Sequence, residues 1–238
     1  MRVLALDTTT RAGSVAIVED DRVVVERGGD PARTHVERLP AEILNILAEA
    51  GLALPAVDVY AVGAGPGSFT GLRAGIATVQ GLAFVQQRRV VPVSALEALA
   101  QAGSEALRAG ARVGVWMDAH RREVFSALYD VTAARAFGRG RLVEVGAPEV
   151  GDPVTVLERW GAGPPVDLVI GDGAVLYREI IGDRIRVAAA PLLAGAIGRI
   201  ALARARVGET LDPAAVHPLY VRRPDAEIDR EKKRALGR

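Results

Sequence analysis

The chain reads as an α/β protein in which one order of elements, βββαβαβα, occurs twice and builds two subdomains. Three observations predict this. The order of elements met up to about residue 106 returns after it. The first strand of each half ends on an aspartate, Asp7 and Asp118. A glycine-rich loop follows the fourth strand of each half, Gly63 to Gly71 in the first and Gly171-Asp-Gly173 in the second. The duplication is one of topology rather than of sequence.

In the first half, Val3 to Leu6 is a short apolar run ending at the polar corner Asp7-Thr-Thr-Thr10. Ser14 to Val18 and Arg22 to Arg27 are further strands, joined by the acidic turn Glu19-Asp-Asp21. After a polar loop, Gly28 to Arg33, Thr34 stands three residues before Glu37, the spacing of a capping box. Val36, Leu39, Ile43, Ile46, Leu47 and Ala50 then fall on one face of a helix that Gly51 ends. Pro40 lies inside that pattern and predicts a kinked first turn or a later start. Val57 to Val62 is the fourth strand and Leu72 to Phe84 the helix beyond the glycine loop. Val90-Val-Pro-Val93 is a strand and Ala95 to Ala102 a helix.

In the second half, the strand Arg112 to Met117 ends in Asp118-Ala-His120. Glu123 to Tyr129 and Leu142 to Val145 supply two more strands, and Thr155 to Trp160 a short helix. A buried strand, Val166 to Ile170, runs into Gly171-Asp-Gly173. A helix to about Ile181, a strand from Ile185 to Val187 and an alanine-rich helix from Pro191 to Val207 complete the half. The predicted organisation is a first subdomain over 1–106, a shorter second over 107–222, and a charged tail over 223–238.

This duplicated order is the architecture of the actin, Hsp70 heat-shock ATPase and sugar-kinase (ASKHA) superfamily. There the aspartate corners and the second glycine loop surround a nucleotide between the halves. By that analogy Asp7, Thr9, Asp118, Gly171 and Gly173 are the candidate remnants of a nucleotide site, although fold does not by itself settle function.

Composition narrows the classes. The 238 residues are 50% hydrophobic, enough for a sizeable core, and a formal net charge of +1 argues against a broadly basic nucleic-acid surface. There is no cysteine, hence no disulfide, thiol nucleophile or cysteine-bound metal. No apolar run approaches the ~18 residues of a membrane span, and the N-terminus enters a strand directly. The expectation is a soluble cytoplasmic protein.

The stretch Gly63-Ala-Gly-Pro-Gly-Ser-Phe-Thr-Gly-Leu-Arg73 decides most about function. Glycines before a helix start suit an anion, and they equally suit a tight turn that lets two elements touch. No Gly-Lys-Ser/Thr closes the stretch, so it is not a Walker loop. On the following helix, Leu72, Ile76, Val79 and Ala83 make one stripe, and Gly71, Gly75 and Thr78 make a smooth second one. Two packing faces exceed what covering a single sheet requires. The second serves either the Val36–Ala50 helix or another protein chain. His35, His120 and His217 show no ligand spacing, and no Gly-x-Ser-x-Gly elbow is present.

At these residues the chain resembles the bacterial TsaB family, non-catalytic relatives of the TsaD proteins that make threonylcarbamoyladenosine in tRNA. The matching pieces are Leu4-Ala-Leu-Asp-Thr-Thr9, Leu39-Pro40, Gly65 to Arg73, Pro92-Val-Ser94 with Leu96-Glu-Ala-Leu99, and Pro218-Leu-Tyr-Val-Arg222. The resemblance places Ala95 and Leu99 where catalytic relatives carry two metal-binding histidines, which implies no metal and no catalytic residues here. Family members commonly have a cysteine near Gly13-Ser14, and this chain does not. Its tail past Tyr220-Val-Arg222 also exceeds the family's usual end.

What the resemblance implies is a scaffold that heterodimerises with TsaD, works with the ATPase TsaE, and meets tRNA through the complex. A nucleotide, if any, would sit at the partner joint, and a homodimer would form when the partner is missing. Leu39, Ile43, Ile46, Leu47, Leu72, Arg73, Ile76, Val79 and Gln80 are the candidate partner-binding residues. Two rivals remain open from the residues alone. A degenerate ATPase or small-molecule kinase would use Asp7, Thr9, Asp118 and Gly171 to Gly173, and a metallopeptidase would hold tightly bound metal.

Overall fold

A computed structural model describes residues 1–221; Arg222 and the predicted tail lie outside the described residues. The first half contains β1 (Arg2–Asp7), β2 (Ser14–Glu19), β3 (Arg22–Gly28), α1 (His35–Glu49), β4 (Val59–Gly65), α2 (Phe69–Val85), β5 (Arg89–Ser94) and α3 (Ala95–Ser104). The second contains β6 (Arg112–Asp118), β7 (Val124–Val131), β8 (Leu142–Glu144), β9 (Glu149–Gly151), α4 (Pro153–Gly161) and β10 (Leu168–Ile170). It continues through α5 (Asp172–Leu176), α6 (Arg178–Ile181), β11 (Arg186–Ala188) and α7 (Ala194–Ala205).

The duplication expected from the sequence is what the chain adopts. The first sheet has the order β3-β2-β1-β4-β5 and the second β8-β7-β6-β10-β11, with β9 also on β7. In both, the first hairpin is antiparallel and the fourth and fifth strands run parallel to the first. Period-two alternation on β1 explains its placement. Leu4 and Leu6 point to one layer with Tyr60, Val62, Leu39, Ile43, Ile76 and Val79. Val3 and Ala5 point to the other, which joins both sheets through α3 and α7.

The helix α7 belongs to the second half by chain order, yet it packs on the first sheet. Small residues allow this. A Cβ added at Gly198 would fall 2.6 Å from Val18 Cγ2 and 3.2 Å from Ala5 Cβ. Its first amides are capped from the sheet itself: Leu193 N and Ala194 N donate to Ser14 Oγ at 3.2 and 2.9 Å, and Gly195 N to Glu26 Oε1 at 2.8 Å. Ser14 is therefore a tertiary helix cap.

Four local expectations differ from the structure. The capping box forms and α1 starts at it, continuous across Pro40. That proline deprives only the carbonyl of Val36, which sits on the open side of the helix. Val36 itself is 68% exposed instead of facing the core. The third strand of the second half comes in two pieces, β8 and β9, on different stretches of β7. The helix expected up to Ile181 breaks at Tyr177 into α5 and α6.

Candidate functional site

The glycine stretch is shaped by the Thr8-Thr9-Thr10 corner. A Cβ at Gly67 would meet the Thr9 backbone, one at Gly71 the Thr8 carbonyl, and one at Gly75 the Thr8 hydroxyl, all inside contact distance. Ser68 N donates to Thr9 O at 2.8 Å, and Gly71 N to its N-cap Ser68 Oγ at 3.2 Å. Two of the amides that an anion would use, those of Ser68 and Gly71, are thus engaged by the chain itself. The smooth stripe of α2 receives Thr8 at Gly71 and Gly75 and the His35 ring at Gly71, not a helix of another chain. Thr78 Oγ1 turns back to Ala74 O at 2.8 Å.

Behind this corner, His35 Nε2 lies 3.0 Å from Thr10 O and its Nδ1 2.7 Å from Arg38 Nη2. Arg38 is buried, pairs with Glu42 at 2.7 Å and also donates to the Ala12 carbonyl. The network ties α1 to the loop after β1. Burial, then the Arg38 charge, holds the His35 imidazole below its usual range, in the neutral form these contacts require.

Asp7 is buried and its Oδ1 accepts from Thr9 N at 2.9 Å and Thr9 Oγ1 at 2.6 Å, a closed turn. Burial raises its pKa from the ordinary 3.8, and the Asp172 charge adds to the rise. A carboxyl with a raised folded pKa stabilises fully below its unfolded value, and that stability is lost as pH climbs through the folded value. The variant Asp7→Asn keeps the Oδ1 contacts and has no charge to bury. Its melting temperature is expected above the parent's at neutral pH, with the gap closing below the ordinary Asp range. Equal melting curves at neutral pH would refute this.

The remaining nucleotide-site candidates divide. A cleft of about 520 Å³ between the halves is lined by Thr9, Asp118, His120, Asp172, Phe69 and Tyr220 among others. Asp7, Gly171 and Gly173 do not line it. Gly171, at φ +133°, and Gly173 instead allow the β10–α5 turn to press on the β6 backbone at Trp116 and Met117. Asp118 Oδ1 accepts from His120 N at 2.8 Å, and Asp118 N donates to Asp172 Oδ1 at 3.1 Å. The cleft wall contains carboxylates but neither lysine nor arginine among the described residues, a poor match for bare phosphates. Asp172 lies within the predicted Gly171 to Gly173 stretch, whereas Phe69 and Tyr220 were not anticipated as cleft residues. The two rings stack at 5.5 Å, and the Arg73 guanidinium lies 4.0 Å over Phe69.

The candidate partner-binding residues are corrected by burial. Leu39, Ile43, Ile46, Leu47, Leu72, Ile76 and Val79 lie in the chain's own core, so none can act as a surface anchor in this fold. Gln80 Nε2 donates to Pro213 O and Val216 O at 2.8 and 3.1 Å. Arg73 stays exposed, with Nε 3.4 Å from Tyr220 Oη. The helices α1 and α2 carry other apolar side chains on their exposed positions instead: Leu44 is 67% exposed and Phe84 78%, with Val36 and Val85 similar. Ala95 and Leu99 are buried on α3, and Glu97 between them holds Arg204 through both oxygens at 2.7 Å. No described helix is long and apolar enough to cross a membrane.

Comparison with known proteins bears on this geometry. The family model TsaD, tRNA N6-adenosine threonylcarbamoyltransferase, matches residues 26–140. The chain is 35% identical to the Escherichia coli tRNA threonylcarbamoyladenosine biosynthesis protein TsaB over 189 residues, 74% of this chain and 81% of that protein. It is 43% identical to the Haemophilus influenzae protein of the same name over 126 residues, about half of each chain at 52%. A Pseudomonas aeruginosa crystal structure, described as an uncharacterized protein with similarity to peptidase YeaZ, superposes with a TM-score of 0.78 at 35% identity. That match covers 93% of this chain and 99% of the other. With 81% of the Escherichia coli protein matched at that identity, the chain belongs to the TsaB family.

Proposed function

We propose that this chain acts in the biosynthesis of threonylcarbamoyladenosine in tRNA as a non-catalytic subunit that holds TsaD in its active form. The observation that carries the reading is the unpartnered apolar side of the α1–α2 pair, with Leu44, Phe84 and Val85 each two-thirds or more exposed. Exposed apolar side chains gathered on one helix pair mark a protein contact more often than a solvent face. The likeness of residues 26–140 to TsaD supports the same partner. A stretch that resembles TsaD over these helices suits a nearly two-fold pairing, each chain offering the equivalent face. A homodimer through that face would form when TsaD is missing.

In this proposal TsaE and tRNA are met through the heterodimer in the cytoplasm, and threonylcarbamoyl is transferred from an adenylate on TsaD. The buried Ala95 and Leu99 support a non-catalytic role, since neither side chain can ligate a metal. A cleft wall with carboxylates and neither lysine nor arginine among the described residues disfavours the kinase alternative.

Reconstitution tests the proposal. TsaD, TsaE, tRNA and the adenylate are combined with and without this chain, and the modified nucleoside is read by mass spectrometry. Modification is expected only when the chain is present, and the chain alone should neither modify tRNA nor turn over ATP. Equal modification without it, or ATP turnover by the chain alone, would reject the reading.

A further inference from the structure

A second cleft, about 500 Å³, opens between α3 and α7 on one side and β7, β8 and the loop at 137–140 on the other. It shares only Leu219 with the cleft between the aspartate corners. Two of its wall residues, Tyr129 and Gln101, are each 4% exposed. Gln101 Oε1 accepts from Phe137 N at 2.9 Å, which orients the amide and leaves Nε2 as its unused end. No protein group among the described residues meets that Nε2 or the Tyr129 hydroxyl, and neither atom is sealed inside the protein. Two donors that no protein group occupies, on side chains otherwise buried, thus face one cleft and are available to a ligand there.

The charges around them narrow its chemistry. Glu97 is held by Arg204, and Glu209 pairs with Arg139 at 2.9 Å. Glu144 has no ion-pair partner among the described residues, so the wall has one more carboxylate than guanidinium. Burial, then the Glu144 and Glu97 charges, pushes the Tyr129 phenol far above its usual range, so it stays a donor. The same carboxylates repel an anion.

We propose that this cleft binds a small monocation carrying a neutral oxygen acceptor, the chemistry of aminosugars, amino alcohols and amino-acid amides. Its ammonium pairs with Glu144, its oxygen accepts from the Tyr129 hydroxyl and Gln101 Nε2, and its carbons lie on Ile200 and Leu142. The proposal does not rest on any contact with TsaD.

Isothermal titration calorimetry on the full chain tests this with glucosamine and glycinamide as probes and N-acetylglucosamine as the uncharged control. At least one amine is expected to bind at millimolar concentration or below while the control does not. Tyr129→Phe removes one hydroxyl and no volume, and should weaken binding about fivefold to tenfold with an unchanged melting temperature. Glu144→Gln, on an exposed position, should weaken it similarly. Binding of neither amine, equal binding of the control, or wild-type affinity in both variants would overturn the proposal.

Discussion

Gly71→Ala is expected to destabilise the chain by about 3 kcal/mol, the upper range for forcing a methyl into a close-packed site. The new Cβ would land on the Thr8 carbonyl, a backbone atom of the residue directly after β1, and 3.1 Å from His35 Cδ2. Neither neighbour can swing away. The strand is paired on both sides, and His35 is held by Thr10 O and Arg38. Relief must come from α2 lifting off the corner, which would also disturb Asp7 and Thr9. Gly81→Ala on the same helix is the control. A Cβ there meets nothing within 4 Å, so the exchange should be neutral or stabilise by up to about 1 kcal/mol. Urea unfolding midpoints of the two variants check the pair. Equal midpoints would mean that the glycine stretch is not set by the threonine corner.

The second large effect concerns the partner. Leu44→Asp and Phe84→Asp should each weaken the complex with TsaD by about 2 kcal/mol or more, a thirtyfold loss, if these side chains are anchors. Both residues are exposed in the free chain, so its circular dichroism and melting temperature should barely move. Ile43→Asp and Ile76→Asp are the instructive contrast. Those side chains are 4% exposed and pack with Leu39 and Val79 in the layer under the helices. An aspartate there would unfold the chain itself, and a lost complex would say nothing about the interface. Co-purification of TsaD with well-folded Leu44→Asp and Phe84→Asp would place the contact elsewhere.

These contrasts show how far sequence reaches. Thr34 and Glu37 announced a helix start because capping is a contact between residues three apart, and it formed despite Pro40. The repeat of strands in threes was legible for a similar reason: hairpins and period-two alternation are local. Which side of α2 meets water was not, because that helix carries apolar residues nearly all round. On α1 the stripe of Leu39, Ile43, Ile46 and Leu47 was legible as one face, and the sheet beneath makes that face core. The cleft was legible at Thr9 and Asp118, which stand at strand ends, where the fold analogy looks for them. Phe69 and Tyr220 meet only after the chain has returned across the glycine stretch, with Leu219 N bonded to Ala64 O at 2.7 Å. No spacing along the chain encodes that meeting. Gly171 and Gly173 looked like a phosphate turn and serve close backbone packing, two uses of glycine that leave the same trace in sequence.

The position of α7 has a consequence for how the protein is made. Val3, Ala5, Val18 and Ala61 emerge from a ribosome long before the helix that roofs them. Until α7 is made, the first sheet has one apolar face without its native cover, and the caps from Ser14 and Glu26 have no helix to receive them. The two halves are therefore not independent folding units, however alike their topology. The nascent chain must be shielded from association until residue 205 has cleared the exit tunnel.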